Sequence, residues 1–123
     1  MTQKNRTLIG TIVAISILLL PVYTYGEQIF LHGAVKWDTN SPAVGFRVEL
    51  VKYTGGRLTH VAATETNLRG NYVFYDIQGL PKDYTLRIVK GEVLKLELPI
   101  GLYMRHNRID SLPSGSRIDL VIE

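Results

Sequence analysis

The stretch Thr66-Asn67-Leu68-Arg69-Gly70-Asn71-Tyr72-Val73-Phe74 decides how the chain is interpreted. The alternation of residue types that is typical of a β-strand runs from Thr59 into this stretch. A polar turn closed by Gly70 follows, and the alternation restarts at once with Tyr72 and Phe74. Two alternating runs joined by a short polar turn with a glycine are typical of a β-hairpin. The sequence therefore predicts a tight hairpin here, with Tyr72 and Phe74 in the core.

Alternating segments continue on both sides of this stretch. Together with turn clusters every eight to twelve residues they are the pattern of an all-β protein, a seven-stranded antiparallel β-sandwich with an inner apolar face on each strand. In the third strand we expect Val61 and Ala63 to point inward, and in the last Ile118, Leu120 and Ile122. The predicted strands are Ile29 to Trp37, Phe46 to Val51, Thr59 to Glu65, Tyr72 to Ile77, Tyr84 to Val89, Leu94 to Leu98 and Arg117 to Ile122.

The first 26 residues have the composition of a targeting segment. Lys4 and Arg6 precede an apolar or small run from Leu8 to Leu20, and a small-x-small pattern ends at Gly26. This predicts an apolar signal helix with cleavage after Gly26, so that residues 27–123 form the domain. An uncleaved membrane anchor is the alternative, although the apolar run makes a helix of roughly 20 Å and a bilayer core is about 30 Å thick.

Charge and cysteine content narrow the class of protein. The chain has 14 basic and 11 acidic residues, and without Lys4 and Arg6 the basic excess falls to one. That excess is too small for a nucleic-acid footprint, so we expect no nucleic-acid partner. Cysteine is absent, so an exported domain of this size must be held by packing alone. We expect a periplasmic or secreted protein without a cofactor, bound to a membrane only if the first segment is uncleaved.

Several motifs together resemble a known family. They are Gly33 and Val35 in the first strand, the segment from Pro42 to Leu50, the Thr66 to Phe74 stretch, and Gly79-Leu80-Pro81 before Tyr84. This pattern, which covers about Leu31 to Val89, resembles the carboxypeptidase regulatory-like domain. The resemblance implies a transthyretin-like (prealbumin-like) sandwich, within the broader transthyretin/Ig-like class, and an accessory role without chemistry of its own. The family's signature falls on Thr66, Asn67, Gly70, Tyr72 and Phe74.

This chain departs from the family pattern at two places. Asn67 stands where the family has Asp, a mild change because Asn makes the same turn-capping hydrogen bond. Lys82-Asp83 stands where the family has Pro-Gly, which predicts a different turn before Tyr84.

Catalysis is not expected. No nucleophile elbow, phosphate loop or paired-carboxylate arrangement is visible. The three histidines, His32, His60 and His106, lack ligand spacing, so no metal site is predicted. A transthyretin-like hydrolase is a remote alternative, since 5-hydroxyisourate hydrolase ends in Tyr-Arg-Gly-Ser and this sequence ends with Asp119-Leu120-Val121-Ile122-Glu123.

Two groups of residues are candidates for binding. Trp37 and Tyr53 fall at predicted strand ends, where aromatic rings can stack on sugars, although closing one end of the core is the more usual role for a tryptophan such as Trp37. The segment from Pro99 to Ser116 is long for a loop, with a basic and partly apolar character from Tyr103, Arg105, His106 and Arg108. Such a segment is suited to a protein or acidic-polymer contact, unless it is only a packed crossover.

These observations favour an exported, non-catalytic module. We expect it to bind or support another protein or polysaccharide of the cell envelope or exterior, for example by strand addition at an exposed sheet edge. A small carbohydrate-binding module that uses Trp37 and Tyr53 is the alternative.

Overall fold

The computed structural model describes residues 27–123. The predicted signal segment and its cleavage site lie outside these described residues. The secondary-structure elements, in chain order, are β1 (Ile29–Trp37), β2 (Arg47–Thr54), β3 (Arg57–Glu65), β4 (Asn71–Tyr75), a 3-10 helix (Pro81–Asp83), β5 (Thr85–Lys90), β6 (Val93–Pro99), α1 (Ile100–His106), β7 (Ser116–Arg117) and β8 (Leu120–Ile122).

The strands form two sheets around one hydrophobic core. In the first sheet β1 is central, with β4 on one side and the short strands β7 and β8 on the other. The second sheet has the order β3-β2-β5-β6. Fully buried side chains of both sheets meet in the core, among them Leu31, Val35, Val48, Leu50 and Ile88. The predicted all-β class with two packed sheets is therefore confirmed.

The last strand differs from the prediction. It is split into β7 and β8, and both run parallel to β1, so the sheet is not wholly antiparallel and the described chain has eight short strands. A two-fold alternation reports which face is buried but not the direction of the neighbouring strand, so the sequence could not show this. The inward positions Ile118, Leu120 and Ile122 are confirmed, since each is at most 4% exposed.

The hairpin prediction was wrong. β3 pairs with β2 in one sheet and β4 pairs with β1 in the other, so the stretch from Thr66 to Phe74 carries the chain between the sheets. Thr66 fixes this crossing point because it is buried and its Oγ1 accepts a hydrogen bond from the backbone N–H of Phe46 at 2.9 Å. A polar turn with a glycine looks the same in sequence whether the strands it joins pair with each other or not.

The turn chemistry within that stretch was predicted correctly. The Oδ1 of Asn67 accepts hydrogen bonds from the backbone N–H groups of Arg69 at 2.9 Å and Asn71 at 3.0 Å. Gly70 has a φ of +79°. Tyr72 and Phe74 are both buried, and the Tyr72 hydroxyl donates to the backbone carbonyl of Ile118 at 2.7 Å.

One inward face was assigned in the wrong phase. Ala62 and Thr64 of β3 are partly buried, whereas Val61 and Ala63 are exposed. Ala62 lies opposite Leu50, whose side chain is in the core, and side chains directly opposite each other share a face of the sheet. With small and threonine side chains on both faces, the hydrophobic contrast of β3 is too low to decide its phase.

Asp119 lies between β7 and β8, and its side chain accepts a hydrogen bond from the backbone of β1. Its Oδ1 accepts from the Ala34 N–H at 2.9 Å and lies 3.0 Å from the Arg117 Nε. Burial alone raises the pKa of Asp119, but the hydrogen bonds from Arg117 and Ala34 outweigh it, and the net effect lowers the pKa. A carboxyl whose pKa is lowered by folding stabilises the fold above its unfolded pKa, and this stabilisation is lost as the pH falls through the folded value.

We expect Asp119→Ala to lower the free energy of unfolding by about 1–2 kcal/mol near neutral pH, because the partly buried Ala34 N–H loses its acceptor. The loss should shrink as the pH falls from about 4, the ordinary pKa of an aspartate, toward the lowered folded pKa, because the wild-type carboxyl then becomes protonated too. Urea denaturation near pH 7 and near pH 3 measures both effects, with Asp38→Ala as a control at an exposed aspartate. An equal loss at both pH values would show that the charge of Asp119 is not involved.

Candidate functional site

The two aromatic residues predicted to form a sugar platform lie far apart. The Trp37 ring packs edge to face on Phe46, just before β2, with ring centroids 5.4 Å apart, whereas Tyr53 is near the other end of β2. The seven residue steps from Phe46 to Tyr53 span roughly 24 Å at the rise of an extended strand. The structure therefore does not bring Trp37 and Tyr53 into one site.

Trp37 has a packing role. Its side chain is partly buried against the core, and the Phe46 ring that it contacts also has the Lys90 ammonium 5.0 Å from its centroid. Aromatic pairs of this geometry add about 0.5–1.5 kcal/mol to the burial of the rings.

We expect Trp37→Ala to cost about 1–3 kcal/mol of stability, less than the 3–5 kcal/mol typical of a fully buried aromatic residue. Trp37→Phe should recover much of the loss because it keeps the edge-to-face contact. Urea denaturation of the three proteins measures this. An alanine variant as stable as wild type, but with altered glycan binding, would instead assign Trp37 to a sugar site.

Tyr53 belongs to a polar row on the outer face of the β3-β2-β5-β6 sheet. Its hydroxyl donates to the Glu97 Oε2 at 2.5 Å, and because ionisation would break this bond the pKa of Tyr53 is raised. The row continues through Arg87, whose guanidinium nitrogens lie 3.7 Å from Glu97 and 3.6 Å from Glu49, and ends at Arg47, 3.0 Å from Glu49. Charges of opposite sign therefore alternate across three strands.

Glu49 is unusual for a residue on an outer sheet face, because only 6% of it is exposed. Besides its two arginine partners it has His60 nearby, with the Nδ1 at 3.8 Å. Sequence reasoning missed this cluster, although its outward alternating positions on β2 and β5 were a usable signal. The two arginines and two glutamates of the row balance in charge, so this surface carries little net charge, although the buried Arg87 Nε has no hydrogen-bond partner within the described residues.

The segment from Pro99 to Ser116 begins with a helix packed on the core, in line with the packed-crossover alternative rather than a free loop. α1 begins directly after Pro99 and turns Ile100 and Met104 into the core, where they are 0% and 8% exposed. The spacing of these two residues matches one helical face, but a helix of seven residues is too short for its period to stand out in sequence. The predicted pattern of strands and turns did not reveal this helix.

The four candidate residues of this segment have different surroundings. Tyr103 is partly buried against the core, whereas Arg105 and His106 are exposed on α1. Arg108 follows the helix in the left-handed region, with a φ of +56°, and is also exposed. Three exposed basic side chains therefore lie within four residues of the chain, and Tyr103 serves mainly for packing.

A groove opens between the 3-10 helix and the chain that follows α1. We call it the α1 groove, and its volume is about 180 Å³. Its surface is apolar apart from Lys82, Asp110 and Ser111. The lining residues are Leu80, Lys82, Met104, Asp110, Ser111, Leu112 and Pro113.

The outer strands of the β3-β2-β5-β6 sheet are poorly suited to strand addition. β3 carries Val61 as an extra residue, and β6 carries Lys95 as an extra residue, so each edge is interrupted by a bulge. Bulges and charged side chains on edge strands hinder pairing with another chain. The α1 groove is therefore a better candidate for contact with a partner than either edge of this sheet.

The three histidines are separated, on β1, on β3 and at the end of α1. Within residues 27–123 no three acidic, histidine or cysteine side chains are grouped so that they could hold a metal ion. No helix among these residues is both long and apolar enough to cross a membrane.

Comparisons with known proteins do not assign a family. No family model matches the sequence, and no curated protein matches it. A 9R-lipoxygenase from Cyanothece PCC8801 is similar in structure, with a TM-score of 0.48 and 12% sequence identity over 84% of this chain. The chain spans only 17% of that lipoxygenase, and a likeness this weak carries no argument about function. The resemblance to the carboxypeptidase regulatory-like domain stays a prediction.

Proposed function

We propose that this chain is a non-catalytic binding module that acts outside the cytoplasm and holds a protein partner through the α1 groove. The proposal includes its export by residues 1–26 and its kinship with the carboxypeptidase regulatory-like, transthyretin-like sandwiches. The composition of the first segment supports export. Two packed sheets and the Asn67 and Gly70 turn are compatible with the kinship, while the parallel pairing of β7 and β8 is a feature that the kinship does not explain.

The observation that carries the proposal is the open apolar surface of the α1 groove. Leu80, Met104 and Leu112 line it, and Leu80 is 48% exposed whereas Met104 is 8% exposed. Methionine adapts its shape to different apolar groups and is common at binding surfaces. An apolar depression with polar residues at its margin is the usual form of a recognition site.

The α1 groove is favoured over a carbohydrate site for two reasons. Its lining contains no aromatic ring on which a sugar could stack. The two aromatic residues predicted to form such a platform are far apart. Trp37 packs on Phe46 beside the start of β2, and Tyr53 is near the end of that strand. A polysaccharide partner remains the alternative, to be judged by the experiments that follow.

The test compares two leucine substitutions in the full chain. We expect Leu80→Ser to reduce capture of a partner from envelope extract about tenfold, the equivalent of roughly 1.4 kcal/mol of lost apolar contact. Leu68→Ser is the matched control because Leu68 is 84% exposed in the turn beyond β3, away from the α1 groove. Equal capture by both variants, with unchanged thermal midpoints, would remove the groove as the binding site.

Point substitutions are required for this test. Deletion of the segment from Pro99 to Ser116 would remove Ile100 and Met104 from the core, and the resulting loss of binding could come from unfolding alone.

A further inference from the structure

We infer that the α1 groove takes one apolar side chain of an extended acidic peptide segment, with the flanking acidic residues of that peptide held by the basic side chains around the groove. This inference rests on the proposed function and names the chemistry of the partner.

The size of the groove indicates a single side chain. Its volume is about 180 Å³, below the range of about 300–1,000 Å³ that is typical of sites for whole small molecules. Leu80, Met104 and Leu112 offer aliphatic and thioether contacts. These match a leucine, isoleucine or methionine side chain better than a sugar or a nucleotide base, both of which prefer aromatic stacking.

The charge around the groove indicates which residues flank that side chain in the ligand peptide. Lys82 lies on the groove wall, and the exposed Arg105 and Arg108 belong to α1 and the residues directly after it. In the 3-10 helix and residues 100–113 these three cations oppose two acidic residues, Asp83 and Asp110, and His106 adds positive charge when it is protonated. The excess favours carboxylates on the ligand.

The ion pairs within the protein leave these three cations available to a ligand. The ion pairs among the described residues involve Arg47, Arg87, Arg117 and His60, all outside the groove region. Lys82, Arg105 and Arg108 make none of them. Exposed cations contribute modestly to affinity, but they steer an acidic segment to the groove and make binding sensitive to salt.

The experiment measures fluorescence anisotropy of a labelled peptide in which one leucine is flanked on both sides by glutamates. Full-length protein should bind it about tenfold more tightly than the peptide with serine in place of leucine, and binding should weaken as salt rises. A peptide with lysines in place of the glutamates should bind at least about tenfold more weakly, since attraction becomes repulsion.

Protein variants locate the site. We expect Lys82→Glu to weaken binding of the glutamate peptide by about fivefold to tenfold. Lys95→Glu, an exposed charge reversal on β6, should leave binding unchanged apart from the small effect of net charge. Equal effects of both variants would contradict the groove as the site of charge recognition.

Other outcomes overturn the inference without touching the proposed function. Equal binding of the serine and leucine peptides would exclude the apolar anchor. Competition by polygalacturonate together with no dependence on leucine would identify an acidic polysaccharide as the ligand class. If no peptide binds, the acidic-peptide inference fails, while Leu80→Ser against Leu68→Ser in extract still judges whether the groove binds a partner.

Discussion

Replacement of Gly33 by alanine is expected to destabilise the domain by about 3–5 kcal/mol, the largest effect we predict. Gly33 is in the centre of β1, and a Cβ atom placed on it would be 1.8 Å from the backbone oxygen of Ile118 and 2.7 Å from its carbonyl carbon. The obstacle is therefore backbone, which cannot move aside as the end of a flexible side chain can.

The backbone of Ile118 is fixed on both sides. Its N–H donates to the His32 carbonyl at 2.8 Å, and its carbonyl accepts from the Tyr72 hydroxyl at 2.7 Å. Moving Ile118 away from β1 would break these bonds and separate β1 from β7 and β8. Burial also raises the pKa of Tyr72, which keeps its hydroxyl protonated as a donor.

Thermal and urea denaturation measure the effect of Gly33→Ala. Domains of this size have total stabilities of about 5–15 kcal/mol, so a fall in the thermal midpoint of more than about 10 °C is expected. Gly101→Ala is the control because its Cβ would meet its nearest neighbour, the Lys82 carbonyl oxygen, at an ordinary 3.5 Å. A Gly33→Ala protein as stable as wild type would show that the Ile118 backbone does not approach β1 at Gly33 as described.

Gly70→Val is the second large effect, with an expected loss of about 2–4 kcal/mol. Part of it comes from the backbone, since a φ of +79° is unfavourable by roughly 1–2 kcal/mol for a residue with a Cβ. The rest comes from crowding, because that Cβ would be 2.6 Å from the Val35 carbonyl oxygen and 3.2 Å from the Ala43 nitrogen. These two atoms are hydrogen-bonded to each other at 2.9 Å.

A matched substitution separates strain from crowding. Gly56 has the same φ of +79° but has no atom within 4 Å of an added Cβ. We expect Gly56→Val to show only the backbone cost, and the difference between the two variants in urea denaturation to report the crowding at Gly70. Equal losses would mean that the turn is not packed against β1, and an unchanged Gly70→Val protein would mean that the turn has another conformation.

The sequence predicted the strands better than their partners. Alternation located the inward residues of β2 and β5 because Val48, Leu50 and Ile88 contrast strongly with their charged neighbours. It could not show that the chain changes sheet after Thr66, because that depends on the Phe46 backbone that Thr66 meets across the fold. The parallel direction of β7 and β8 likewise depends on where the chain arrives after α1.

The candidate site was predicted only in part. The basic, partly apolar character of the segment after Pro99 was visible in sequence, and Arg105 and Arg108 are close along the chain to Met104 and Asp110, which line the groove. Leu80 and Lys82 were seen only as part of a turn, since nothing local shows that the 3-10 helix faces α1. Tyr53 was correctly placed at a strand end, but its partner Glu97 is two strands away and could not be inferred.

The most direct test of the central claim is photocrosslinking from the groove. A benzophenone side chain would be placed at position 80, in the lining of the α1 groove. A second protein would carry it at position 53, on the outer face of the β3-β2-β5-β6 sheet. Both proteins would be irradiated in envelope extract and their adducts compared by mass spectrometry. We predict a specific adduct from position 80 that is lost when the acidic leucine peptide is added, and none from position 53. A partner crosslinked from position 53 and not from position 80 would contradict the account.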